Sequence, residues 1–163
     1  MTGFGDRKAE KMNFQEILEK LKTKVEVVES KEDLGILNAN VKAEDLVSAI
    51  TFLKDELGFD HLNFTTAIDW VENNNIEAVY YLSSVKSRDR AVIRVKMDRK
   101  NPQVDSICGI FRTAEWHERE AFEMFGIVYN NHPDLRKLLL TDDIDKPLLK
   151  DFEHPEFEKL PKI

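Results

Sequence analysis

The chain has 163 residues, 42% of them hydrophobic, and a formal net charge of −7. That length and apolar content suit one globular domain with a buried core, while the acidic balance excludes nucleic acid and anionic lipid as principal partners, since both demand a basic surface. A single cysteine, Cys108, excludes an internal disulfide and a cysteine-rich metal cage, and no apolar run approaches the roughly 18–20 residues of a membrane span.

Residues 1–12 are polar and expected to fray, and MTGFGDRKAEKMNF holds no apolar signal core, so no export is expected. Phe14, Ile17, Leu18 and Leu21 recur at helical spacing and predict a short helix over 13–23. Val25, Val27 and Val28 predict a strand, and a turn at Gly35 leads to a second at Ile36–Leu37. Leu46, Ile50, Leu53 and Leu57 form one apolar stripe over 43–57, with Gly58 as its left-handed stop. Three strands follow. In HLNFTTAIDW, alternation puts Leu62, Phe64, Ile68 and Trp70 on one face. The turn NNN at 73–75 leads into IEAVYYLSSV, and the turn KSRDR at 86–90 into AVIRVKM, where Ile93, Val95 and Met97 alternate with the wet Arg94 and Lys96. After Pro102, VDSI reads as a short edge strand. A last helix, N-capped by Thr113, runs to Phe125 and stops at Gly126. This order predicts an α+β fold: a two-layer sandwich with helices on one face of a largely antiparallel, mixed sheet. It spans 13–129, and 130–163 forms an extended C-terminal tail.

The chemistry-bearing residues concentrate in the last helix and the tail. His117–Glu118 resembles the start of a zinc-protease helix, but the second histidine would have to stand four residues on, where Ala121 is. His132 and His154 fall in loops at unrelated spacing, and Glu118 and Glu120 point about 200° apart on a helix, which rules them out as an acid–base pair. Cys108 has no base near it in sequence and reads as a buried thiol. No metal ligand set and no catalytic set is expected. A small metal-dependent enzyme using His117, Glu118 and His132 stands as the alternative, with a free binding module as another. On a helical wheel Ala114, Glu118, Ala121 and Phe125 share the apolar face, so Glu118 needs a partner. Trp116 points the opposite way, among Arg119, Glu120 and Glu123, as an interface anchor would. The tail is rich in leucine and is broken by Pro133, Pro147 and Pro155. It is too irregular to build a core and too apolar to be solvated, so it is expected to drape over another subunit.

Three blocks in order, WHEREAFEMFGI, HPDLRKLLL and PLLKDF, resemble the signature of the NADH:ubiquinone oxidoreductase 30 kDa subunit family of respiratory complex I. That family also includes members from membrane-bound hydrogenases and archaeal ferredoxin-linked oxidoreductases. The likeness is strong over 113–152 and collinear over about 36–112. It implies a non-catalytic structural subunit without a cofactor of its own, in the peripheral arm of a membrane-bound oxidoreductase. The implied partners are a hydrogenase-like large subunit and an iron–sulfur subunit, which carries the iron–sulfur clusters. The implied location is the cytoplasmic side of the membrane, reached only through those partners. Carried over by motif, the implied interface residues are Glu118, Arg119, Glu120, Phe125 and Gly126 on the helix, with Trp116 as anchor. In the turn they are His132, Pro133, Asp134, Leu135 and Arg136, and in the tail Pro147, Leu148, Lys150, Asp151 and Phe152. Arg119 and Arg136 are expected to pair with acids and Glu118 with a base. Leu149 stands where the family tail usually has Arg, and Ile144 where it usually has an aromatic. Both mark a divergent branch, in which the electron donor need not be NADH.

Overall fold

The computed structural model describes residues 12–153. The fraying expected of the N-terminus therefore lies outside the described residues but for Met12, as do His154 and Pro155. Helix α1, Phe14–Lys22, opens with a reciprocal capping box: Asn13 accepts from the Glu16 amide, and Glu16 accepts from the Asn13 amide. It buries Ile17, Leu18 and Leu21. Strands β1, Val27–Asp33, and β2, Ile36–Val41, form a hairpin across Leu34 and Gly35, both at positive φ. A 3₁₀ turn at Ala43–Asp45 leads into α2, Leu46–Asp55, after which Gly58 takes φ +73°.

Strands β3, His61–Trp70, β4, Asn75–Ser83, and β5, Arg90–Asp98, follow as an antiparallel meander. Asn74, at φ 50°, turns the first corner and Arg88, at φ 64°, the second. Strand β2 pairs with β5 in parallel, giving one five-stranded mixed sheet of order β1-β2-β5-β4-β3. Strand β6, Gln103–Asp105, and β7, Val128–Asn130, form a small parallel pair on either side of α3, Ala114–Phe125. The architecture is thus the α+β arrangement expected from the sequence, with β7 added. Helices and sheet share one core, in which Leu21, Ile50, Leu53, Ile76, Tyr80 and Ile93 are fully buried.

Two local readings are corrected. In β3 the inward residues are Leu62, Thr65, Ala67 and Asp69, while Phe64 and Trp70 lie on the outer face, exposed. A bulge between Leu62 and Phe64 inserts one residue, and a one-residue slip sends every following side chain to the other face. Thr113 sits in helical geometry and makes no side-chain cap; α3 is entered instead through backbone bonds from Ala114 to Phe111 and from Glu115 to Arg112.

Candidate functional site

Helix α3 lies between the core and the tail, and each side of it gathers a polar cluster. Toward the core, the Glu118 side chain is completely buried. Its carboxylate accepts from the Ser106 hydroxyl at 2.5 Å, the Ile107 amide at 2.9 Å and the Cys108 thiol at 3.2 Å. Burial raises its carboxyl above the ordinary value, against the pull of those donors. Burial likewise pushes the Cys108 thiol up to about 12, with the adjacent carboxylate adding to the effect. The hydroxyls of Tyr80 and Tyr129 lie within the electrostatic reach of Glu118 and Cys108, and burial raises both phenols. Neither hydroxyl closes a hydrogen bond of ordinary geometry.

His132 completes this cluster: its Nε2 lies 4.0 Å from Glu118, and ligand atoms of Cys108, Glu118 and His132 all fall within 4.8 Å. Sequence spacing cannot reveal this, because the tail returns His132 to α3 and the β6–α3 loop delivers Cys108. The spacing suits a three-ligand metal site, but the hydrogen bonding does not. Nε2 faces the Glu115 carbonyl at 3.1 Å and must donate to it, while Nδ1 accepts from the Asp134 amide at 3.0 Å. That fixes the neutral tautomer with its proton on Nε2, the atom a metal would need bare. Glu118 is similarly engaged at both oxygens. The base expected opposite Glu118 is therefore replaced by neutral donors. His117 lies apart from the cluster, its Nδ1 accepting from the Thr65 amide of β3 at 3.4 Å, so His117, Glu118 and His132 do not converge.

Toward the tail, Arg119 and Glu123 are buried, though the wheel places both on the wet face. In place of the acid expected opposite Arg119, its guanidinium meets backbone. It donates to the carbonyls of Arg136 and Lys137, both at 3.1 Å, and stands over the Trp116 ring 5.5 Å from its centroid. The Glu123 carboxylate accepts from three consecutive amides, Leu138 at 2.8 Å, Leu139 at 3.0 Å and Leu140 at 3.1 Å. Burial pulls its carboxyl upward, but the three amides outweigh burial and hold it below the ordinary range. The Lys137 ammonium donates to the carbonyls of Thr141, Asp142 and Ile144. The amides of Lys146 and Leu148 reach the carbonyls of Glu123 and Met124, which the end of a helix leaves without internal partners.

The remaining motif residues follow this course. Arg136 pairs with Asp134 at 2.8 Å in an exposed bridge, as expected of an acid partner, within the chain. Gly126 takes φ +80° and ends α3. Leu135 and Phe125 pack half-buried against the core, and Trp116, Glu120, Pro133 and Leu148 are exposed. Half-buried Pro147 follows Lys146, which stands at φ 53°. The Lys150 amide donates to Asp69 at 2.8 Å, and Asp151 bonds Arg99, which also grips Asp69 at 2.7 and 2.9 Å. Phe152 is half-buried beside them. Asp69 and Arg99, absent from the motif set, thus tie the tail to the far end of β3. An aspartate on the inward face of a strand is the signal for such a tie, and the β3 bulge conceals that face from simple alternation.

The description "respiratory-chain NADH dehydrogenase, 30 Kd subunit" belongs to the family whose sequence profile matches residues 39–158. The chain is 38% identical over 128 residues to the NADH-quinone oxidoreductase C subunit of Geotalea uraniireducens, covering 77% of this chain and 78% of that one. It is 33% identical over 119 residues to the F(420)H(2) dehydrogenase C subunit of Methanosarcina mazei, covering 72% and 75%. Among solved structures it resembles a chain of the membrane-bound sulfane sulfur reductase, an archaeal respiratory membrane complex. There the TM-score is 0.74 at 25% identity, over 85% of each chain. The fold also matches a trypsin-resistant fragment of Nqo5, with a TM-score of 0.63 at 24% identity, over 76% of this chain and all of that one.

Proposed function

The chain belongs to the respiratory-chain NADH dehydrogenase 30 kDa subunit family, and from that premise we propose that it is a non-catalytic structural subunit of the peripheral arm of a complex I-like membrane-bound oxidoreductase. It packs against a hydrogenase-like large subunit and an iron–sulfur subunit. Those partners hold the iron–sulfur clusters and pass electrons to a quinone, proton or sulfur acceptor. The relatives bear the names of NADH, F(420)H(2) and sulfane sulfur enzymes, so the task they share with this chain is independent of the donor and acceptor. Among the described residues no helix is long and apolar enough to cross a membrane. Attachment at the cytoplasmic face is through partners.

The observation that carries this reading is the use to which the fold puts its reactive side chains. Glu118, Arg119, Glu123 and His132 are consumed by bonds inside the chain, while Trp116 of the same helix stands exposed. A site for turnover needs the reverse, a reactive group open to a cleft. Mild detergent extraction of native membranes, followed by identification of the chains that travel with this one, tests the reading. The expected result is co-purification with a hydrogenase-like large subunit and an iron–sulfur subunit. A chain extracted alone, or one carrying stoichiometric zinc, overturns it.

A further inference from the structure

We infer that Arg119 and Glu123 are positioning residues, which fix residues 136–140 on α3 as a rigid platform, and that this platform docks another protein through Trp116, Leu139 and Leu148, against a surface with an apolar centre and a basic rim. The inference rests on the subunit reading and specifies where and with what chemistry that subunit is held.

Residues 136–140 have no helix or sheet to satisfy their backbone, yet five of their polar groups are met by two side chains. Arg119 serves the carbonyls of 136 and 137, and Glu123 serves the amides of 138, 139 and 140. Because Arg119 and Glu123 stand one turn apart on α3, the segment is laid along the helix. Beside the exposed Arg136–Asp134 pair, what faces out is apolar: Trp116 is 59% exposed, Leu139 68% and Leu148 51%. The Trp116 ring is braced by the Arg119 guanidinium, and the Leu139 and Leu148 amides are held by Glu123 and Met124. Trp116 and Met124 lie about 12 Å apart along the helix axis, so the three side chains are strung over little more than two turns.

Charge selects the partner. Arg119 and Glu123 are buried, Arg136 is paired with Asp134, and Lys137 is spent on carbonyls, so the cations at 119, 136 and 137 are occupied. Its margin carries the exposed Glu120 and Asp142, and Asp145 with Lys146 beside it at 3.5 Å. An apolar centre within an acidic margin fits a protein surface bearing an apolar pocket flanked by lysine or arginine. It does not fit a phosphate-rich membrane or nucleic acid.

The test uses the full chain, alone and in its native complex. In the isolated chain Glu123→Gln is expected to speed hydrogen exchange of the 138–140 amides by about tenfold or more and to lower incorporation into the complex. Trp116→Ala with Leu139→Ala is expected to leave that exchange unchanged and to lower incorporation by about tenfold or more. Asp142→Lys with Asp145→Lys is expected to slow association. Unchanged exchange in the Glu123 variant overturns the positioning role. Wild-type incorporation of the Trp116/Leu139 variant overturns the docking surface. If the wild-type chain itself travels alone from the membrane, the subunit reading fails and the docking surface with it, while the exchange result still decides the role of Glu123.

Discussion

Asp69 and Glu118 are both buried carboxyls, yet their surroundings give them opposite responses to pH. Asp69 is gripped by Arg99 and by the Lys150 amide, and the arginine bond holds its carboxyl below the ordinary value. The folded chain therefore binds that proton less tightly than the unfolded chain. The resulting stabilisation is present above a pH of about 4 and is lost as pH falls through the folded value. Asp69→Asn is expected to lower the unfolding free energy at neutral pH and to flatten its decline in acid, as read by urea titrations at a series of pH values. For Glu118 burial raises the carboxyl, so its contribution is greatest below a pH of about 4 and diminishes as pH rises through the raised value. Truncating it is a different matter, because the Ile107 amide is then left buried without an acceptor. Glu118→Ala is expected to cost about 2–3 kcal/mol in urea unfolding, whereas Glu118→Gln keeps an acceptor for that amide and costs less.

At the scale of the element, α3 ends because Gly126 adopts φ +80°, and the tail then folds back over that end. A Cβ at Gly126 would lie 2.5 Å from Cε of Lys146, but a lysine chain can swing aside; the left-handed backbone cannot. Gly126→Ala is expected to cost about 1–2 kcal/mol. Combining it with Lys146→Ala is expected to recover little of that loss, since the penalty lies in φ; the urea midpoints of the two variants decide the matter. Signals of this local kind were legible in the sequence: Gly58, Asn74 and Gly126 turn the chain where their residue types allow positive φ, and the alternation of Ile93, Val95 and Met97 names the inner face of β5 correctly. The face of β3 was not legible, because one inserted residue reverses parity without leaving a compositional trace. Nor was the burial of Arg119 and Glu123, because a helical wheel knows the helix and not the segment laid on it. The meeting of Cys108, Glu118 and His132 depends on that same segment, so it was hidden for the same reason.

For the molecule as a whole, the question is whether residues 131–152 are an appendage or part of the folding unit. Composition sets the tail apart, since it has no periodic pattern and many leucines. Its bonds do not. It supplies acceptors to Arg119, donors to Glu123 and to the end of α3, and both an amide and an acid to the Asp69–Arg99 pair, and Leu135 and Leu149 pack against the core. Charged side chains on α3 and in the tail thus take the place of a ladder, satisfying the backbone of a segment that forms no helix or strand. Ending the chain after Asn130 removes all of this together. Arg119 and Glu123 would return to water at little cost, but the helix-end carbonyls would lose their donors, and the two half-buried leucines together contribute about 1.5–3 kcal/mol. The truncated chain is therefore expected to unfold at a clearly lower urea concentration, with α3 amides exchanging faster than those of β4 and β5. An unchanged midpoint would make the tail a separate appendage. A lowered one makes it the outer layer of the same unit, so that the surface bearing Trp116, Leu139 and Leu148 is built by this chain alone.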